Sequence, residues 1–139
     1  MKTLPRSGYD QVGGMVYFPR LLDKIRLHDR GELPADYHNN LGKGADSWCL
    51  HHLRVKYEDV RKRVAEGLSD EQVLQWCYAK GRAQEEFDLM IWNGFITKLG
   101  WNDHASGRLK QVKESAGLQN REDITTMFQF FEVDEGRKS

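Results

Sequence analysis

Between residues 20 and 46 the chain gathers side chains that do chemistry: Arg20, Asp23, Lys24, Arg26, Tyr37, His38, Asn40 and Asp46. Guanidinium and ammonium groups such as Arg20, Lys24 and Arg26 orient a carboxylate or phosphate, the guanidinium bidentately. Asp23, Tyr37 and His38 are the types that donate and accept protons. Together they describe a polar pocket for a small carboxylate- or phosphate-bearing molecule. In enzymatic form this would be a cofactor-free acid/base lyase, isomerase, cyclase or hydrolase. A Tyr-His pair is more often a packing contact between helices. The alternative is therefore a helical interaction or regulatory module without catalysis, whose charges form a structural network and whose exposed aromatics dock a partner.

The element that must position the first group is a helix opened by Pro19 and running to about Arg30, with Gly31 beyond it. On a helical wheel Leu21, Leu22 and Ile25 fall within about 60° of Phe18, a core-facing stripe. Leu27 lies on the opposite side with Arg20 and Lys24, Asp29 falls inside the apolar stripe, and Asp23, Arg26 and Arg30 share a flank. Either this is a solvated helix with one stray leucine, or Leu27 packs against protein and the charges beside it are partly buried. Burial would force them into a network or leave them waiting for a ligand.

The second group lies in Asp36-Tyr37-His38-Asn39-Asn40-Leu41-Gly42-Lys43-Gly44-Ala45-Asp46. A short turn follows Pro34, and Asn40, Gly42 and Gly44 tolerate positive φ, so the backbone can bend tightly and bring Asn40 to a ligand. Glycines before a helix can present amides to an anion. Here Asp46, read as the cap of a helix through Leu53, would satisfy those amides itself.

Further helices follow from punctuation. Tyr57, Val60 and Val64 precede Gly67, and Ser69 with Gln72 forms a capping box for a helix to Lys80, closed by Gly81. Phe87, Met90, Ile91, Phe95 and Leu99 make the clearest amphipathic stripe, Asp103 opens a helix ending near Gly117, and Asp123 sits in the first turn of a last one. Met15–Phe18 has no obvious partner strand. The fold class is all-α: one compact single-domain irregular or orthogonal bundle of about seven to eight helices over 1–139, with 1–10 and 134–139 expected to be poorly ordered.

Composition limits the rest. At 139 residues, with 21 Lys plus Arg against 21 Asp plus Glu, the chain lacks the positive excess of a general nucleic-acid binder, and nucleic acid is not expected as a partner. No apolar run suits a signal peptide or a membrane span, so the expected location is cytoplasmic, with Cys49 and Cys77 as reduced core thiols. A homodimer is left open. No metal is expected: His51 and His52 point about 100° apart on a helix, and Cys77 belongs to another element. No cofactor motif is read, and the serines lack a nucleophile elbow. Trp76, Trp92 and Trp101 read as core, with Trp92-Asn93 as a candidate pocket wall.

Val12-Gly13-Gly14, the run from Tyr17 to His28, Leu33-Pro34, Asp36-Tyr37-His38 and Asn40-Leu41-Gly42-Lys43-Gly44 carry a family likeness. So do Trp92-Asn93, Gly100-Trp101 and the segment from Thr126 to Arg137. Together they resemble a family of small bacterial proteins known only as a domain of unknown function. The resemblance implies a stand-alone bacterial cytosolic protein and brings no activity, cofactor or catalytic residue. Two positions depart from the family pattern: Asp29 stands where a small residue is expected, and Asp46-Ser47-Trp48-Cys49 where Asp-Gly-Arg-Cys is. Losing an arginine and gaining the Trp48 indole points to a less anionic or more aromatic ligand, with Trp48 as a contact.

Overall fold

A computed structural model describes residues 3–139. Its first feature is a hairpin of β1 (Gln11–Val12) and β2 (Met15–Val16), paired Gln11 to Val16 and Val12 to Met15. The turn needs Gly13 and Gly14, which have φ of 56° and 81°, the left-handed pair that a tight hairpin demands. Met15-Val16 therefore does have a partner strand. At two residues each, the strands are too short to alternate visibly in the sequence.

Helix α1 (Phe18–Asp29) follows, with Pro19 in its first turn. After it come a 3-10 helix (Ala35–Asn40) and α2 (Ala45–Leu53), then α3 (Tyr57–Ala65) and α4 (Asp70–Lys80). The chain finishes with α5 (Glu86–Ile96), α6 (Ser106–Ser115) and α7 (Met127–Asp134). The architecture is an all-α bundle with a small hairpin packed against α1, α4 and α5. Among the described residues no helix is long and apolar enough to cross a membrane.

The main core surrounds α1. Phe18, Leu21, Leu22 and Ile25 pack with Leu53 of α2, Val60 of α3, Val73 and Cys77 of α4, Trp92 and Ile96 of α5, and Phe128 of α7. A smaller cluster of Leu109, Ile124 and Phe130 joins α6 to α7, and Met127 and Phe131 touch both clusters. Leu27 is buried as well, so α1 is covered on both sides, and Arg20 and Lys24 are buried with it. Asp29 is exposed at the end of α1 and meets Arg61 at 3.1 Å.

Capping explains most boundaries. Ser69 and Gln72 form the reciprocal box at α4, and Thr126 and Gln129 form another at α7. Asp123 accordingly lies before α7 and pairs with Arg121 at 2.8 Å instead of occupying a first turn. Asp103 does not open α6 either. Its carboxylate accepts from the amides of Gly100 and Ala105, closing the preceding turn three residues earlier. Trp101, read as core, sits in that turn and is exposed.

Candidate functional site

A cavity of about 640 Å³ lies where α1, the 3-10 helix, the start of α2, α6 and α7 converge. Its inner wall comes from one stripe of α1 and the residue before it: Tyr17, Arg20 and Lys24, at helical spacing. Two ionic clusters stand on that stripe. In the first, Arg20 (2% exposed) forms a fork to Glu135, with Nη1 to Oε1 at 2.8 Å and Nη2 to Oε2 at 2.7 Å. Tyr37 donates to the same carboxylate at 2.7 Å, Arg137 approaches its other oxygen, and Arg20 also donates to the Arg6 carbonyl at 3.0 Å. The Phe131 ring lies 4.4 Å from the guanidinium. The Arg20 Nε is buried and has no hydrogen-bond partner among the described residues.

In the second cluster, Lys24 Nζ meets Asp46 Oδ1 at 2.7 Å, and Tyr17 donates to the same oxygen at 2.6 Å. The other oxygen of Asp46 accepts the Gly42 amide at 2.9 Å. The helix cap is Gly44, at φ 57°, and Asp46 is one residue inside α2. The bend at Gly42 and Gly44 thus turns a carboxylate into the interior, where it neutralises a lysine from another element.

Burial and pairing set the protonation of both clusters. Burial works against the Glu135 charge, but hydrogen bonds and attraction from Arg20, with help from Arg137 and Tyr37, hold its carboxyl below the usual range. Burial and then the Glu135 contact push the Tyr37 phenol up. Burial and the Asp46 charge do the same, more strongly, at Tyr17. Lys24 is lowered by burial, against the attraction of Asp46. The tyrosines are therefore protonated donors near neutral pH.

The rest of the lining is apolar or mouth-facing. Leu99, Val112, Met127, Phe130 and Phe131 supply apolar walls. Trp48 stands at the rim, its ring 5.0 Å from His104 and 5.3 Å from Phe95. Exposed Asp36, Lys43, Arg108 and Asp134 ring the opening. Among the described residues no group of three or more His, Cys, Asp or Glu side chains is placed to hold a metal ion.

The family model described as Domain of unknown function (DUF5069) matches residues 2–137. The chain belongs to this family. No curated protein matches the sequence of this DUF5069 chain.

In this DUF5069 protein, Arg20, Lys24, Tyr37, Asn40 and Trp48 are brought together on the cavity. Asp23, Arg26, His38 and Trp92 do not line it. Asp23 accepts the Arg6 amide at 3.0 Å, and Arg26 pairs with Asp70 at 2.6 Å and donates to the Leu68 carbonyl. His38 donates to the Leu33 carbonyl at 2.9 Å with its ring edge on His28, the packing role a Tyr-His pair more often has. Trp92 is buried, donates to the Val16 carbonyl at 2.9 Å and stacks on His52. It borders a shallower hollow of about 240 Å³ instead.

The residue most clearly missed is Glu135. It lies in a short polar tail segment with nothing to mark it, yet its side chain is 1% exposed. Tyr17 could have been found, because it continues the Arg20 and Lys24 stripe by one turn. Arg108 carries no signal beyond its charge. The expectation of poor order over 1–10 falls in part on Met1 and Lys2, which lie outside the described residues.

Proposed function

We propose that the cavity binds a small molecule combining an apolar or aromatic body with one carboxylate or phosphate group. The observation that carries this reading is a volume within the common range of small-molecule sites (about 300–1,000 Å³), apolar on most walls, with Lys43 and Arg108 at its mouth. The ligand's charge does not go to Arg20 or Lys24. Displacing Glu135 or Asp46 would strand a buried carboxylate, which costs several kcal/mol. Lys43 and Arg108 at the mouth have no ion pair among the described residues, and they meet the anionic group there. The body rests against Phe130, Phe131 and Trp48. Binding is favoured over acid/base chemistry because the phenols of Tyr17 and Tyr37 are both engaged by carboxylates and pushed away from neutrality.

The test is a calorimetric and thermal-shift series with medium-chain fatty acids, aryl acetates and aryl phosphates. A member of the series raises the melting temperature of the wild-type chain. The response disappears in Ala116→Trp, which fills the mouth from an exposed position, and weakens about tenfold in Lys43→Ala/Arg108→Ala. No response across the series, or one that survives Ala116→Trp, removes the reading.

A further inference from the structure

Helix α5 is apolar on both faces. Trp92 and Ile96 point into the core, with Leu89 packed against it, whereas Phe87 (65% exposed), Met90 (62%), Ile91 (55%) and Phe95 (36%) point outward. With Gly94 and Lys98 these four form a stripe about 140° wide at the spacing of a helix–helix seam. The Trp48 ring, 5.3 Å from Phe95, extends the stripe. Together these side chains present on the order of 500 Å² of apolar surface, most of the ~800 Å² that one side of a stable interface buries.

Gly94 says how close the occupant comes. Its φ is not in the left-handed region, and a Cβ added to it would have nothing within 4 Å. Nothing among the described residues requires glycine there, although glycine weakens a helix interior. A second backbone passing over the stripe does require a small residue at that point.

The charges say what the occupant is. Within α5 from Phe87 onward the only ionic residue is Asp88, which is held to the side by Arg82 at 2.7 Å. Glu85 and Glu86 open the helix and Lys98 follows it. An antiparallel copy of the same helix sets each Lys98 beside the other's opening glutamates and opposes the two helix dipoles, whereas a parallel copy sets like ends together. Crossing near Ile91, it also seats the bulky Phe87 of each copy over the Gly94 region of the other.

We propose that this face is a self-association surface: two copies of the chain pair through α5, antiparallel, about a two-fold axis at Ile91. Apart from Trp48, which borders both, this face shares no residue with the cavity.

Sedimentation velocity on the full chain across micromolar concentrations tests it. The wild-type chain shows a monomer–dimer equilibrium. Ile91→Glu weakens it by about thirtyfold or more, and Gly94→Leu by about tenfold, both with unchanged circular dichroism because both sites are open in the monomer. Glu86→Lys and Lys98→Glu each weaken the dimer, and the double exchange restores it. A chain that stays monomeric overturns the proposal, and co-sedimentation of that monomer with phosphatidylglycerol vesicles would assign the face to lipid instead. A dimer indifferent to Ile91→Glu and Gly94→Leu overturns it as well, since pairing then uses another surface.

Discussion

The wall of the cavity and the outer face of α5 break the rule of oil inside and charge outside in opposite directions. Along α1, Arg20 and Lys24 are withdrawn from water and survive because Glu135 and Asp46 arrive from distant parts of the chain. Along α5, Phe87, Met90 and Ile91 remain more than half exposed, left uncovered by the described residues. The inner violation is already compensated within the molecule, so it adds rigidity and shapes a hollow. The outer one is not, so it points to something beyond the chain. A misplaced residue thus becomes informative only once its partners are counted.

The two regions should answer perturbation differently. The largest effect is expected on the inner side. Asp46→Ala leaves Lys24 buried without its counter-charge, and chemical denaturation should report a loss of about 3–5 kcal/mol. Replacing both members, Lys24→Met with Asp46→Leu, should cost much less. A double variant as unstable as the single one would show that the pair holds more than its own charge.

Acid titration separates the regions next. Glu135 binds its proton less tightly folded than unfolded, so its contribution is complete above the ordinary carboxyl value of 4.5 and lost as pH falls through the lower native value. Stability should therefore drop on acidification in wild type and drop less in Glu135→Gln, measured by denaturant midpoint against pH. No such dependence is expected of variants on α5.

The smallest effects belong to the outer face. At concentrations where the chain is monomeric, Gly94→Ala should stabilise it by about 1 kcal/mol, and Met90→Gln should change stability by less than about 0.5 kcal/mol. A larger loss at either position would mean that the face is packed within the monomer after all.

How far these regions could be read from the sequence depends on where each partner lies along it. Local devices were legible: Pro19, the Ser69–Gln72 box and the glycines after helices place most of the elements. Leu27, opposite the apolar stripe, was enough to raise the covered-helix reading, because a second apolar face on one helix is a local pattern. Asp46 was read as a cap because a carboxylate at the start of a helix ordinarily is one. Its pairing with Lys24 depends on how the chain bends at Gly42 and Gly44. Glu135 was illegible for a stronger reason, since its partner is 115 residues away and the segment around it has the composition of a loose end. The stripe on α5 was visible, but periodicity shows that a helix has an apolar face and not which face the protein covers.

The fork between Arg20 and Glu135 ties the opening helix to the last few residues, and Arg137 reinforces it by reaching the Pro5 carbonyl. During synthesis α1 emerges early but cannot settle its buried cation until the chain has been made through Glu135. This wall of the hollow is therefore completed by a contact of long sequence separation, the kind whose loop-closure cost is met before its reward.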